Sequence, residues 1–128
     1  MPKVKYKLWS ECFRLLNEHR SGKPNVLLTK TGNLWIQEKI EGDDYQHSDS
    51  IASNFKELCR KVMLKVTPKQ LRATAASKLG EHEKFKFYAQ YFLGHSPKTI
   101  ADKHYVRPAE KEFFKALKWL EDQFALAD

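Results

Sequence analysis

Two basic residues, Lys69 and Arg72, stand in the first turns of a helix that the dipeptide Thr67-Pro68 is predicted to open. Side chains three apart on a helix point to nearly the same side, and both cations lie near the free N–H groups and positive dipole end of that helix. Acidic residues are normally favoured there, so two cations cost stability unless an anion is bound. The pair therefore predicts an anion site, with solvated surface charges as the alternative.

Two further elements follow this pair in order. The tripeptide Leu93-Gly94-His95 places its histidine 23 residues after Arg72, and Tyr105 comes ten residues later. With Lys69-Gln70-Leu71-Arg72 at a helix start, the ordered set resembles the tyrosine recombinase (phage integrase) family. Members of that family carry His-x-Leu-Arg or Lys-x-x-Arg, then Leu-Gly-His, then a nucleophilic tyrosine. Leu8-Trp9-Ser10-Glu11 is more loosely similar to the Leu-Trp-Pro-Glu entry to a helix in that family.

The resemblance implies site-specific DNA recombination or integration by strand cleavage and rejoining. Tyr105 would attack DNA phosphorus to give a 3′-phosphotyrosine and a free 5′-hydroxyl. Arg72 and His95 would hold the phosphate, and Lys69 would occupy the position that assists proton transfer. A guanidinium matches phosphate bidentately and stays charged, whereas a phenol with a pKa of ~10 needs a nearby cation or base. Because the covalent link keeps the bond energy, rejoining would need no ATP, metal or other cofactor.

Two elements of the family pattern are not found in the sequence. One is an earlier Arg-x-x-Glu, and the other is a general-acid lysine on an upstream hairpin, for which Lys3, Lys5 or Lys7 could stand in. We therefore expect residues 1–128 to form a single domain, the carboxy-terminal portion of an integrase-type catalytic domain, without the first-arginine region and the amino-terminal arm. We expect that portion not to recombine DNA by itself.

The residues also allow other interpretations. Tyr105 could pack beside Pro108, and His95 could hydrogen-bond at a helix end after Gly94. Two other functions stay open, a DNA-binding module with vestigial catalytic residues and a helical protein-interaction domain. His82 lacks the spacing of an HExxH element, and no metal site is predicted.

The charge distribution favours double-stranded DNA as a partner. The 128 residues include 23 Lys and Arg against 16 Asp and Glu, for a net charge of +7. Residues 55–107 alone are net +8, whereas residues 38–54 are net −4. No apolar run approaches the ~20 residues that cross a bilayer, and the start lacks the apolar core of a secretory signal. We expect an intracellular protein, cytoplasmic and nucleoid-associated, with no membrane partner.

The elements that must position these residues are predicted to be mainly helical with one small β-hairpin, like part of a tyrosine-recombinase catalytic domain. Helices are expected over 8–20, from a cap at Ser48, Asp49 or Ser50 through Leu64, over 67–80 and over 83–93, with a short one opening at Ser96-Pro97. The hairpin is expected from strands at 26–29 and 34–36, followed by an irregular acidic connection over 38–47.

Two apolar stripes are predicted to be buried. The helix that ends at Leu64 carries one, formed by Ile51, Phe55, Leu58, Val62 and Met63. The last helix opens at Pro108 and carries the other, formed by Phe113, Leu117, Leu120 and Phe124. By the resemblance, that helix docks in its own domain or reaches a neighbouring protomer in a homo-oligomer on DNA.

Overall fold

The computed structural model describes residues 3–95 and 110–124. Over these residues the chain is mainly helical with one two-stranded antiparallel sheet, as the sequence predicts. Tyr105, the helix predicted from Ser96-Pro97 and the predicted helix start at Pro108 lie outside the described residues. None of the helices within the described ranges is long and apolar enough to span a membrane. The elements are α1 (Ser10–Glu18), β1 (Ile36–Glu41), β2 (Asp44–Asp49), α2 (Ser50–Lys61), α3 (Pro68–Glu81), a 3₁₀ turn (Lys86–Tyr88), α4 (Ala89–Phe92) and α5 (Glu110–Phe124).

The chain forms two compact units. The first combines Met1–Cys12 with Lys69–Asp128, and the second is Phe13–Pro68. All of the candidate site residues that the structure describes belong to the first unit.

The hairpin of the second unit lies later in the chain than predicted. Strands β1 and β2 pair from Ile36 opposite Asp49 to Glu41 opposite Asp44. A two-residue loop joins them, and its first residue, Gly42, has a φ of +63°. Glycine adopts that backbone conformation without steric cost, and a loop of two residues opening with glycine is a common hairpin turn. The prediction of an irregular connection over 38–47 was therefore wrong.

The segment predicted to form the hairpin is a closed loop instead. The amide of Thr29 donates to the carbonyl oxygen of Asn33 over 2.9 Å, and the amide of Asn33 donates to Oγ1 of Thr29 over 3.1 Å. The prediction of strands at 26–29 and 34–36 was wrong because the hydroxyl of Thr29 offers the turn a local partner that competes with strand pairing.

Helix α2 begins as predicted, but its apolar stripe is not buried. Asp49 caps it by accepting a hydrogen bond from the amide of Ala52 over 2.9 Å. Within the helix only Cys59 is buried. The predicted stripe is mostly exposed, at 52% for Ile51, 55% for Leu58, 52% for Val62 and 90% for Met63. Helical periodicity shows which face is apolar, but it does not show whether another element covers that face.

The core of the first unit lies between α3 and α5. Helix α3 begins at Pro68, as predicted, and buries Ala75, Ala76 and Leu79. Helix α5 buries three of the four predicted stripe residues, together with Ala116, whereas Phe124 is 37% exposed in the last turn. Leu79, Ala116 and Leu120 are completely buried, and they form one apolar cluster with Ala75 and Phe85.

The predicted helix over 83–93 is replaced by a turn, the 3₁₀ segment and the short α4. The amides of Phe85 and Lys86 both donate to the carbonyl oxygen of His82. This turn directs Phe85 into the core, where it is 7% exposed and stacks on the His82 ring with centroids 4.4 Å apart. Burial of one aromatic ring thus interrupts the helix that the sequence predicts.

The segment before α1 packs on α5. The indole Nε1 of Trp9 donates to the carbonyl oxygen of Leu117 over 3.0 Å. The amide of Ser10, the first residue of α1, donates to Oε1 of Glu121 over 2.7 Å. Ser10 lies within the helix, and a carboxylate of α5 binds its amide. Helix α1 is also shorter than the predicted span of 8–20.

Candidate functional site

Arg72 lies at the end of the buried face of α3. Ala76 and Leu79 follow it by four and seven residues, so the three share one face of the helix. Ala76 and Leu79 are buried, whereas Arg72, one turn closer to the helix start, is exposed. Its Nη2 donates a hydrogen bond to the carbonyl oxygen of Leu93. Helix α3 thus places the Arg72 guanidinium against Leu93, the first residue after α4.

The turn that Arg72 contacts is the carboxyl end of α4. Gly94 has a φ of +69°, and its amide donates to the carbonyl oxygen of Tyr91 over 2.9 Å. The amide of His95 donates to the carbonyl oxygen of Gln90 over 3.1 Å. A glycine in the left-handed conformation is the usual way to end a helix and satisfy its last carbonyl groups. The Leu-Gly-His tripeptide is therefore a helix end, as its glycine predicts.

A second side chain contacts the same turn. The hydroxyl of Tyr6 donates to the carbonyl oxygen of Phe92 over 2.5 Å. Its ring stands edge-on to the rings of Phe92 and Phe113, with centroids 5.8 and 6.0 Å away. Burial raises the pKa of Tyr6 above its ordinary value, and the nearby positive charge of Arg72 opposes this shift in part. Tyr6 and Arg72 thus bind successive carbonyl groups and lie within electrostatic reach of each other.

His95 is exposed and makes a local hydrogen bond. Its Nδ1 lies 2.7 Å from Oε1 of Gln90. An amide oxygen only accepts, so Nδ1 is the donor in this contact. An imidazolium donates from both ring nitrogens. The hydrogen bond at the helix end matches the structural alternative for His95 and is compatible with phosphate binding.

The structure brings Arg72 into contact with the turn that contains His95. The Arg72 side chain donates a hydrogen bond to the main chain of Leu93, two residues before His95 and 21 residues after Arg72 itself. Lys69 lies one helical turn before Arg72 and is exposed. Tyr105 lies outside the described residues, so its position relative to the other three stays a prediction.

The amino-terminal lysines do not form a hairpin. No strand is found over residues 3–9 of the described chain. The Nζ of Lys5 lies 3.5 Å from Oε1 of Glu110 at the start of α5, and both side chains are largely exposed. Lys3 and Lys7 are also exposed. The structure thus gives no β-hairpin that carries a general-acid lysine in this segment.

The arrangement is suited to binding an anion. A guanidinium has five N–H donors, and the bond to Leu93 uses one of them. The positive charge of Arg72 and its remaining N–H donors favour a phosphate at this turn. Within the described ranges, no group of three or more His, Cys, Asp or Glu side chains could hold a metal ion.

Tyr6 is the residue that the sequence did not predict for this site. It stands among Lys3, Lys5 and Lys7, where the alternation with lysine suggests only an exposed strand. Its contact with Phe92 spans 86 residues and follows from the docking of the amino-terminal segment, not from a local pattern.

No family model matches the chain, and neither a curated protein nor a solved structure is similar enough to be matched. The resemblance to tyrosine recombinases therefore depends on the motifs and their spacing.

Proposed function

We propose that this chain acts in site-specific DNA recombination, as part of a tyrosine recombinase catalytic domain. The supporting observation is the hydrogen bond from Arg72 to the carbonyl oxygen of Leu93. It joins the helix-start arginine to the Leu-Gly-His turn, the two motifs on which the resemblance depends. A protein that acts on DNA must be found with the DNA, so the proposal includes a cytoplasmic, nucleoid-associated location.

In this mechanism the four residues have separate roles. Arg72 and protonated His95 neutralise charge on the non-bridging oxygens of the scissile phosphate. The phenolic oxygen of Tyr105 bonds to phosphorus while the bond to the 5′ oxygen breaks, and that oxygen leaves as a hydroxyl after taking up a proton. Lys69 assists proton transfer. Rejoining reverses these steps, because the phosphotyrosine retains the energy of the broken bond.

A single-turnover assay tests the proposal. The substrate is duplex DNA whose 3′ end carries a p-nitrophenyl phosphate diester. Attack by Tyr105 forms the tyrosine–phosphorus bond and releases nitrophenolate, which leaves with the electron pair while the phenolic proton passes to solvent. Nitrophenolate leaves without a general acid, so the test does not depend on one. The first arginine of the family pattern is not found in the sequence, so we expect a slow release of at most one nitrophenolate per chain, together with a covalent protein–DNA band.

Matched variants decide the outcome. Tyr105→Phe should abolish both the band and the release, and Tyr45→Phe on the hairpin should leave both unchanged. Arg72→Ala should slow the release by ~10²–10³-fold, the usual cost of losing one positioned donor. A covalent band that survives Tyr105→Phe would contradict the proposal.

A DNA-binding module with vestigial catalytic residues is the second candidate. The observation that favours it is that protein groups already engage two of the described site residues, Arg72 at Leu93 and His95 at Gln90. This candidate predicts DNA binding that weakens on Arg72→Ala and no covalent band under any condition.

A further inference from the structure

We propose that Tyr6 is a positioning residue for phosphate binding, because it fixes the turn that carries His95 against Arg72. This inference rests on the proposed function, since it concerns how the same site is held for DNA. Tyr6 would contact neither the phosphate nor the reacting atoms. It would act through Arg72 and the turn from Phe92 to His95.

The first argument is the convergence of two donors on one short turn. Tyr6 Oη donates to the carbonyl oxygen of Phe92, and Arg72 Nη2 donates to that of Leu93. The last carbonyl groups of a helix lack partners within the helix, so these two bonds satisfy groups that would otherwise need water. Consecutive carbonyl groups are thus bound from two directions, which restrains the peptide planes immediately before Gly94.

The second argument is that the Tyr6 ring is itself held. It stands edge-on to Phe92 of α4 and Phe113 of α5, and Phe113 is 1% exposed. Tyr91 also packs edge-on against Phe113, with ring centroids 4.9 Å apart. Tyr6 is 46% exposed, so these ring contacts, and not deep burial, direct its hydroxyl toward the carbonyl oxygen of Phe92.

The third argument is that this turn needs external restraint. Helix α4 has four residues, and its end is a glycine with positive φ. Such a short helix has little stability of its own. The amides of His95 and Gly94 bind the carbonyl oxygens of Gln90 and Tyr91 within the turn. The carbonyl groups of Phe92 and Leu93 are bound instead by side chains from elsewhere in the chain. Tyr6 provides one from the amino-terminal segment, and Arg72 provides the other from α3.

The consequence for DNA concerns preorganisation. Arg72 can bind a phosphate together with His95 only when the turn holds the two side chains near each other. Without the Tyr6 hydroxyl, part of the binding energy would be used to order the turn. Loss of this hydroxyl should therefore weaken DNA binding without removing any charge.

A double-mutant cycle on duplex DNA affinity tests this inference. Tyr6→Phe keeps the ring and removes the hydrogen bond, so we expect affinity to fall by about 3- to 10-fold. The slope of log affinity against log salt should stay the same, because no cation is lost. In the Arg72→Ala background, Tyr6→Phe should have no further effect. Tyr88→Phe, whose ring also faces Phe113, is the matched control and should leave affinity unchanged.

The outcomes separate this inference from the proposed function. If Arg72→Ala weakens binding and Tyr6→Phe does not, Tyr6 has no positioning role and the proposed function stands. If Tyr6→Phe weakens DNA binding by the same factor with and without Arg72→Ala, Tyr6 does not act through Arg72 and the inference is wrong. If neither variant weakens binding, the phosphate site itself fails, and the inference fails with it.

Amide hydrogen exchange provides a readout that does not depend on DNA. In Tyr6→Phe, the amides of Gly94 and His95 should exchange faster than in the parent chain. Amides in the middle of α5 should be unchanged, which also shows that the variant is folded. Unchanged exchange at Gly94 and His95 would overturn the inference.

Discussion

The indole nitrogen of Trp9 donates a hydrogen bond over 3.0 Å to the carbonyl oxygen of Leu117, which lies 108 residues further along the chain. This bond fastens the segment that carries Tyr6 to the core helix α5. We expect Trp9→Phe to lower the free energy of unfolding by about 1–2 kcal/mol, from the lost hydrogen bond and the smaller ring. Urea denaturation followed by circular dichroism measures this change.

Trp35 is the matched control for that variant. Its Nε1 is buried and has no hydrogen-bond partner within the described part of the chain. Trp35→Phe therefore removes a polar group that is already unpaired, and we expect it to cost less stability than Trp9→Phe. A larger loss for Trp35→Phe would contradict the importance of the Trp9 hydrogen bond.

Two glycines should respond to alanine in opposite directions. Among the described residues, no atom from beyond the chain neighbours or the helix's own backbone lies within 4 Å of a Cβ built at Gly80 or Gly94, so the backbone conformation distinguishes the two positions. Gly80 lies inside α3, and Gly80→Ala should stabilise the chain by about 0.5–1 kcal/mol. Gly94 has a φ of +69°, and Gly94→Ala should destabilise it by about 1–2 kcal/mol. Thermal unfolding of both variants tests this prediction, and shifts of the same sign would refute it.

The acid stability of the chain should depend on Glu121. Its hydrogen bond with Lys118 lowers the pKa of the carboxyl group below its ordinary value, and the Ser10 amide adds to this effect. The folded pKa is thus below the unfolded pKa. The stabilisation of the fold by ionised Glu121 is therefore complete above the unfolded pKa of roughly 4.5. It is lost as the pH falls through the folded pKa.

Urea midpoints measured from pH 6 down to about pH 3 test that linkage. Glu121→Gln should flatten the acid limb of the stability curve, because an amide does not titrate. Lys118→Met should also flatten it, because Lys118 is the main cause of the lowered pKa. If stability falls as steeply with acid in both variants as in the parent chain, other carboxyl groups cause the pH dependence.

The salt dependence of DNA binding should report the contribution of Arg72. Residues 55–107 are net +8, so affinity for duplex DNA should fall steeply as salt rises. Arg72→Ala should reduce the slope of log affinity against log salt by about 1. Lys39→Ala, in the acidic hairpin, removes the same charge and should change the slope much less. An affinity that is flat with salt in the parent chain would favour the helical protein-interaction domain instead.

The sequence predicts those elements whose boundaries are set by local chemistry. Asp49 at the start of α2 and Pro68 at the start of α3 are found where capping and proline preferences indicate. The hairpin was misplaced because β-propensity favours Val26–Thr29, whereas the pairing forms around Gly42 between polar strands. In this region the turn determines the strand positions more strongly than side-chain hydrophobicity does.

The candidate site also has one part that the sequence predicts and one part that it does not. The motifs of Arg72 and His95 are local patterns, and the contact of Arg72 with the Leu-Gly-His turn is consistent with their pairing. The role of Tyr6 depends on where the amino-terminal segment docks, and no periodicity or cap encodes that position. The exposure of the α2 stripe could not be predicted for the same reason, because burial requires a covering element that helical periodicity does not reveal.

The exposed stripe of α2 has a consequence for handling the protein in different salts. Salts such as ammonium sulfate are excluded from protein surfaces and strengthen apolar association. Ile51, Leu58 and Val62, each more than half exposed, should therefore make the chain bind a phenyl resin and salt out early. The proposed attraction to DNA should weaken over the same rise in ionic strength. If the chain binds DNA as proposed, one salt gradient should therefore elute it from immobilised DNA and load it on a hydrophobic column.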